Sequence, residues 1–440
     1  MSGSFRFAGR VAYLAVLSML AGCAGGGVGS SLGLTTLSQT RDLKHSETRR
    51  GRPTAQAAAA ATAFVDSVGV NVHNGFYGTP YGDEPTRVAK LVAELGVHHL
   101  RDGTYPGQNN LCTLSQTYAA AGVYFDYIVS PAETDTQLNS WQSCTAPSAE
   151  AYEGYNEYDL SGDPNWVTDL QAAQQQIYSF GSGLGLPVIG PSLTSEADYG
   201  AVGSVPANNG NMHDYFAGRN PGTSGWGGQD QFGVYGSLAY NIAVAQQTTG
   251  QAPMWSTETG YGDQPGIAYS VPAVTKMHYE LRTLFDQWNA GVPRTYLYEL
   301  VDQGGGDFGS YGLVDAKTRP KPAFHVLAAL LKHLSVADSA PASLSYTLTA
   351  ASSVEYTLLA THHGSFVLAV WDEVPEWDPV TDQPITVYPQ PVTLTFAETP
   401  RKISVTTFAA TGRPSVQEMS PQSSVSLDVD GGVSLVDITM

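Results

Sequence analysis

Between residues 64 and 335 the sequence changes eight times from a short apolar run rich in β-branched and aromatic residues to a stretch of helical periodicity, and no other feature limits its fold as much. The strand candidates lie at 65–73, 98–103, 124–131, 151–159, 187–194, 210–216, 253–261 and 294–302. Helical patterns are clearest at 85–95, 165–178, 238–247, 271–290 and 322–334. In the first of these, Pro85 suits a first helical turn, Val88, Leu91, Val92 and Leu95 fall at i, i+3, i+4 and i+7, and Gly96 suits the stop. Eight units of about 34 residues have the length expected of a (β/α)8 barrel. A doubly wound open sheet would place a glycine-rich, phosphate-cradling turn after its first strand. Here that turn begins Asn71-Val72-His73-Asn74-Gly75-Phe76, which has no such pattern.

After Leu334 the helical period stops, and short alternating segments follow at 343–349, 354–361, 365–371, 392–396, 402–407, 424–429 and 433–438, separated by turn residues. The expected fold class is therefore α/β: a (β/α)8 TIM barrel over residues 64–335 and a C-terminal β-sandwich over 336–440. The acidic stretch with Asp372, Glu373, Glu376, Asp378 and Asp382 is expected to be a solvated loop; its spacing matches no calcium motif, although a hard cation is the alternative reading.

The N-terminus carries two arginines, an apolar run from Val11 to Leu20, and then Leu20-Ala21-Gly22-Cys23. This reads as an export signal over 1–23, and the run is too short to span a bilayer, which takes roughly 20 residues. The tetrapeptide resembles a bacterial lipobox, which implies lipidation at Cys23 and a location in the bacterial cell envelope, lipid-anchored or extracellular. Residues 24–63 are Gly/Ser/Thr-rich, then basic, then alanine-rich, and read as a flexible linker. Cys112 and Cys144 are the other two cysteines. In an oxidising compartment they are expected to pair, stabilising the fold by roughly 3–4 kcal/mol; two buried free thiols are the alternative.

Net charge is −19, and seven of the 21 basic residues but only two of the 40 acids precede residue 64. A folded part this acidic repels phosphate backbones and anionic headgroups, so nucleic acid is excluded as a partner and the membrane is reached only through the lipid anchor. Charged residues make up 14% of the chain, while Tyr (24) and Gly (47) are plentiful, a balance suited to neutral, polar, ring-shaped ligands. No His-Glu-x-x-His, Cys-x-x-Cys, P-loop or Gly-x-Ser-x-Gly pattern occurs, so neither a metal nor any other cofactor is expected.

Catalytic groups of a (β/α)8 barrel sit at the C-terminal ends of its strands. Two glutamates qualify: Glu157, in Tyr155-Asn156-Glu157, ends the fourth strand candidate, and Glu258, in Ser256-Thr257-Glu258, ends the seventh. Their separation of 101 positions agrees with three repeats. Two carboxyl groups facing each other across a sugar are what a retaining glycosidase requires. Asn156-Glu157 and Glu258 resemble the signature of glycoside hydrolase clan A, the (β/α)8 retaining hydrolases that include families 5, 30, 39 and 51, with family 39 nearest by architecture. The resemblance implies that Glu157 is the acid/base, that Glu258 is the nucleophile and that Asn156 contacts the sugar 2-hydroxyl. Arg101 resembles the clan arginine that keeps the nucleophile ionised, and His213 resembles a residue lining the sugar site. The clan's tryptophan after strand eight is replaced here by Tyr298-Glu299-Leu300-Val301-Asp302.

His73 on strand one and Glu299 are further candidates for contact with substrate. Tyr215, Phe216, Trp226 and Phe232 lie in a glycine- and amide-rich loop suited to stacking on sugars and bonding their hydroxyls. The expectation is a monomeric, lipid-anchored glycoside hydrolase with a carbohydrate substrate. A non-catalytic carbohydrate-binding lipoprotein and a transglycosylase using the same residues are the alternatives.

Overall fold

The computed structural model describes residues 52–104, 108, 110–131, 135–304, 309–337 and 339–440. The export signal, the lipidation site Cys23 and the linker up to residue 51 lie outside them.

The first half runs β1 (Thr54–Ala60), α1 (Ala61–Asp66), β2 (Val68–Asn71), α2 (Pro80–Asp83), α3 (Pro85–Leu95), β3 (His99–Gly103), α4 (Leu111–Ala120), β4 (Tyr124–Ile128), α5 (Asp135–Thr145) and β5 (Ala149–Glu153). It continues with α6 (Trp166–Gly183), β6 (Val188–Ile189), α7 (Glu196–Val202), β7 (Gly210–His213), β8 (Gln229–Asp230), β9 (Gly233–Val234) and α8 (Leu238–Thr249). Then come β10 (Met254–Thr259), α9 (Ala273–Asn289), β11 (Thr295–Leu297) and α10 (Pro322–Leu334). The remainder is all β: β12 (Ala342–Thr349), β13 (Val354–Ala360), β14 (Ser365–Asp372), β15 (Trp377–Asp378), β16 (Gln383–Pro384), β17 (Gln390–Phe396), β18 (Lys402–Phe408), β19 (Pro414–Met419), β20 (Ser424–Val429) and β21 (Ser434–Thr439).

Eight parallel strands form a sheet in the order β6-β5-β4-β3-β2-β11-β10-β7. Its two ends meet through a parallel bridge from Ile189 to Asn209, where Gly190 N–H donates to Asn209 O at 2.9 Å, so the sheet closes into the expected barrel. Helix α3 shows how the sequence directs this. Pro85 opens it, Val88, Leu91, Val92 and Leu95 are buried, and Gly96 ends it at φ +84°, a left-handed conformation that favours glycine. Cys112 in α4 and Cys144 in α5 form a disulfide that ties two neighbouring barrel helices together.

The second sheet has nine strands in the order β19-β18-β21-β14-β13-β1-β12-β17-β20 and folds over on itself, burying Val354, Phe366, Leu368, Val392, Leu394 and Val436 between its halves. One expectation gives way here. Residues 54–60 are not linker but β1, which pairs antiparallel with β12 through Thr54–Ala58 and parallel with β13 through Ala59 and Ala60. The sandwich therefore begins before the barrel, with its first strand joining the two halves of the sheet. The first barrel strand also begins later than 65, because Ala61–Asp66 is helical.

The two units share a core. Both faces of β14 are buried: Phe366, Leu368 and Val370 point into the sandwich, whereas Val367, Ala369 and Trp371 join the cluster that contains Phe285 of α9 and Leu330 of α10. A strand covered on both sides reads as a continuous apolar run, as Phe-Val-Leu-Ala-Val-Trp does here.

Candidate active site

The strand ends converge on Arg101, the third residue of β3. Its side chain is 1% exposed. Nε and one terminal nitrogen bind Glu153 in a two-bonded fork, each at 2.7 Å. The other terminal nitrogen donates to Asn71 Oδ1 at 2.9 Å and to Glu258 Oε1 at 2.7 Å, while the first also reaches Asn156 Oδ1 at 2.7 Å. Glu153 is in turn bonded by Asn211 Nδ2 at 2.8 Å. A guanidinium buried this deeply is tolerable only when its donors are matched in this way.

Above this layer the two candidate glutamates face each other. His213, the last residue of β7, places Nδ1 2.7 Å from Glu157 Oε1 and 3.6 Å from Glu258 Oε2. A carboxylate oxygen of Glu157 and one of Glu258 lie within 4.8 Å of each other. Tyr215 donates its hydroxyl to Glu258 Oε2 at 2.9 Å. Burial raises the Glu258 pKa, but His213, Arg101 and the Tyr215 hydroxyl outweigh it and hold the carboxyl below its usual value. Burial likewise lowers His213, and the neighbouring Glu258 and Glu157 carry it above its usual value. Glu157 sits past the end of β5 at φ +46°, with its N–H donating to Ser192 O at 3.1 Å. A non-glycine residue fixed in the left-handed region is the kind of local strain that packed surroundings must hold in place.

Six of the expected residues are thus brought together: Asn156, Glu157, Glu258, Arg101, His213 and Tyr215. Glu299, His73, Trp226 and Phe216 are placed differently. Glu299 is fully buried, accepts from Tyr81 at 3.1 Å and from Gln303 at 3.0 Å, and lies 3.4 Å from His73 Nε2. With no exposed surface it sits behind the mouth rather than in it, and burial pushes its carboxyl up to about 8. His73 is stacked on Phe76 with ring centroids 4.6 Å apart, and burial lowers it to about 4, which keeps the ring neutral. Trp226 packs under the Arg219 guanidinium and edge-on to Tyr235, within its own loop rather than against the glutamates. Phe216, expected to stack on sugar, is 1% exposed and belongs to a core cluster. Asp302 is bound to Lys321 at 2.8 Å and serves the loop after β11.

Glu153, Asn71 and Asn211 were not anticipated from the sequence. Glu153 could have been found there: a glutamate at an inward-facing position of a buried strand requires a cation, and Arg101 is the charged residue at the same depth two strands away.

Glu157, His213 and Glu258 also have the spacing of a three-ligand metal site. Both Glu258 oxygens already accept hydrogen bonds, however, and the Arg101 guanidinium stands 3.4 Å from His213 Nε2, so a divalent cation would meet a buried positive charge. The donor set suits proton transfer and nucleophilic attack better than ion binding.

No family model and no curated protein matches the sequence. Among solved structures the chain is similar to a family 39 glycoside hydrolase from the gut symbiont Bacteroides cellulosilyticus, with TM-score 0.51 and 12% identity over 86% of this chain and 82% of that one. It is also similar to a glucosidase from Croceicoccus marinus, with TM-score 0.57 and 10% identity over 88% and 97% of the two chains. An arabinofuranosidase gives TM-score 0.53 and 9% identity over 88% and 100%. At such identities the likeness concerns the fold, and it spans barrel and sandwich together: the chain has the architecture seen in these glycoside hydrolases.

Proposed function

We propose that the protein is a retaining glycoside hydrolase that cleaves O-glycosidic bonds of a neutral poly- or oligosaccharide by double displacement. The observation that carries this reading is the glutamate pair across the barrel mouth, with oxygens within 4.8 Å of each other. Retaining enzymes hold their carboxyl groups roughly 5–5.5 Å apart, whereas inverting ones leave roughly 6.5–9.5 Å for a water. Glu258, kept ionised by Arg101 and Tyr215, attacks the anomeric carbon. Glu157, oriented by His213, gives its proton to the departing oxygen and then takes one from the water that releases the sugar. Asn156, fixed by Arg101, presents its amide to the sugar beside the reacting carbon. The glycosidases among the similar structures support the same class of reaction.

Export from the cytoplasm and lipidation at Cys23 belong to this proposal. The disulfide between Cys112 and Cys144 supports an oxidising compartment.

The test is release of reducing ends from a panel of β-glucans, xylans, arabinans and bacterial exopolysaccharides, using a form that begins at residue 52 so that β1 is kept. Glu258→Ala is expected to lower turnover on the order of 10⁴-fold with the melting temperature unchanged. Release that survives in the variant would refute the assignment of Glu258. Because Glu258 is held below its ordinary 4.5, the acidic limb of kcat/KM is expected below about pH 4.5.

A further inference from the structure

The acidic stretch is solvated only at its far end, at Asp382; its first part is withdrawn from water. Asp372 is 2% exposed, and the side chains of Glu373 and Glu376 are 6% and 13% exposed. Glu373 reaches from the sandwich to the barrel loop that follows β7. Its Oε1 accepts from Asn220 Nδ2 at 2.8 Å and from Gly222 N–H at 3.1 Å, and its Oε2 accepts from Trp371 Nε1 at 2.7 Å. Arg282, fully buried in α9, stands 3.7 Å from it and donates to the backbone carbonyls of Val374 at 2.8 Å and Gly431 at 2.6 Å.

Two glycines permit this approach. A Cβ on Gly222 would lie 2.2 Å from Glu373 Cγ, and one on Gly218, whose φ is +76°, would lie 3.1 Å from Pro379 Cβ.

The gripped loop leads straight to the glutamate pair. Tyr215, which donates to Glu258, is followed by Phe216, and Glu258 is followed three residues on by Tyr261. Phe216 and Tyr261 share one core cluster with Val271 and Tyr279, against which Trp377 of the sandwich packs. The Tyr261 hydroxyl donates to Arg219 O at 2.8 Å, joining the two catalytic loops. The Tyr279 hydroxyl accepts from Glu376 N–H at 2.7 Å and Trp377 N–H at 3.2 Å, joining that cluster to the sandwich backbone.

We propose that Glu373 is a positioning residue contributed by the sandwich: it holds the loop over residues 216–235 as one wall of the cleft, and the enzyme's grip on a neutral glycan chain depends on it. The inference rests on the glycosidase reading for its substrate and on these contacts for its mechanism. A carboxylate withdrawn from water and met by an amide, a backbone N–H and an indole N–H fixes geometry that an exposed pair would not. The wall meets sugars beyond the one being cleaved, so its loss is felt in the binding of chains of several units.

The experiment uses the full-length protein with Asn220→Ala, which removes the donor on the loop, and separately Gly222→Ala, which displaces the carboxylate by contact. Each is expected to raise KM for an oligosaccharide of several units about tenfold, the scale of one charge-assisted hydrogen bond, while kcat stays within about twofold. Hydrogen exchange of amides in 216–235 is expected to quicken about tenfold or more, with the amides of β13 and β14 unchanged. Unchanged KM and unchanged exchange in both variants would overturn the proposal. If the wild-type protein releases no sugar from any glycan, the glycosidase reading fails, and the exchange measurement still decides whether Glu373 holds the loop.

Discussion

The barrel interior and the sandwich interior are built on opposite principles. Between the two halves of the sandwich the buried side chains are Val, Leu, Ile, Phe, Ala and one Tyr, with the alternation a half-buried strand requires. The barrel interior instead buries charge. Near the mouth Arg101, Glu153, Asn71, Asn211 and Thr257 form one polar layer, and at the opposite end His99, Glu150 and Arg294 form another, with His99 2.7 Å from Glu150 and 2.9 Å from Asp66, whose side chain is exposed at the rim. Trp255, Tyr296, Ala151 and Ile189 make the apolar filling between them. The sandwich interior gains stability from burial alone. The barrel gives up part of that gain to hold a carboxylate and its arginine away from water at the proposed active site.

The largest effect is expected at β1, which belongs to the sandwich although it precedes the barrel. Removing residues 1–63 takes away a strand with neighbours on both sides and leaves β12 and β13 as open edges, whereas removing 1–51 leaves the sheet intact. The longer truncation is expected to be insoluble or to lose cooperative melting; equal melting temperatures for the two forms would contradict the placement of β1.

Arg101→Met probes the polar layer. It leaves Glu153 buried without its cation, at an expected cost of about 3–5 kcal/mol, and lowers turnover by at least about 10²-fold, read by denaturant unfolding and by kcat. Leu368→Ala in the sandwich costs about 2–5 kcal/mol by the same measurement but leaves turnover per folded molecule unchanged. A loss of specific activity equal to that of Arg101→Met would erase the distinction.

The two interiors also differ in their response to pH. Burial raises Asp102 and Glu299 to about 8, Glu280 to about 7, and Asp159 and Asp214 to about 6, all in the barrel. Each of these acids binds its proton more tightly folded than unfolded. Its contribution is therefore complete below about pH 4 and is lost as the pH rises through its folded value. His99 and His213, also raised, act in the same direction above pH 6.5, and His73, lowered to about 4, acts in the opposite one. The melting temperature is expected to fall from pH 5 to pH 8. Glu299→Gln is expected to flatten that fall, and a variant with the wild-type slope would count against a neutral Glu299. At the small end, Lys402 and Glu418 form a 3.0 Å pair on the sandwich surface with both side chains about 60% exposed, so Lys402→Ala is expected to change stability by less than about 0.5 kcal/mol.

The division between legible and hidden features follows the range of the contacts. The eight-fold alternation is local, so the barrel could be read from it, and Glu157, Glu258, Arg101, His213 and Tyr215 could be placed because strand ends fix where a side chain emerges. Strand β1 was hidden because an alanine-rich run carries little strand signal and its partners lie about 290 positions downstream, as in the pairing of Thr54 with Tyr346. The docking of Glu373 was hidden for the same reason: its partners Asn220 and Gly222 are about 150 positions away. Glu299 was misread as a mouth residue because its position after a strand end says nothing about the Tyr81 and Gln303 side chains that enclose it.

In the proposed reaction the two glutamates act on opposite faces of one sugar at a separation too short for an intervening water. The most direct measurement is the anomeric configuration of the first-formed product, followed by NMR on whichever glycan the protein cleaves, with Glu157→Ala and Glu258→Ala as controls. Retention of configuration, lost together with turnover in Glu258→Ala, is the predicted result. Inversion, or retention that persists without Glu258, would contradict it.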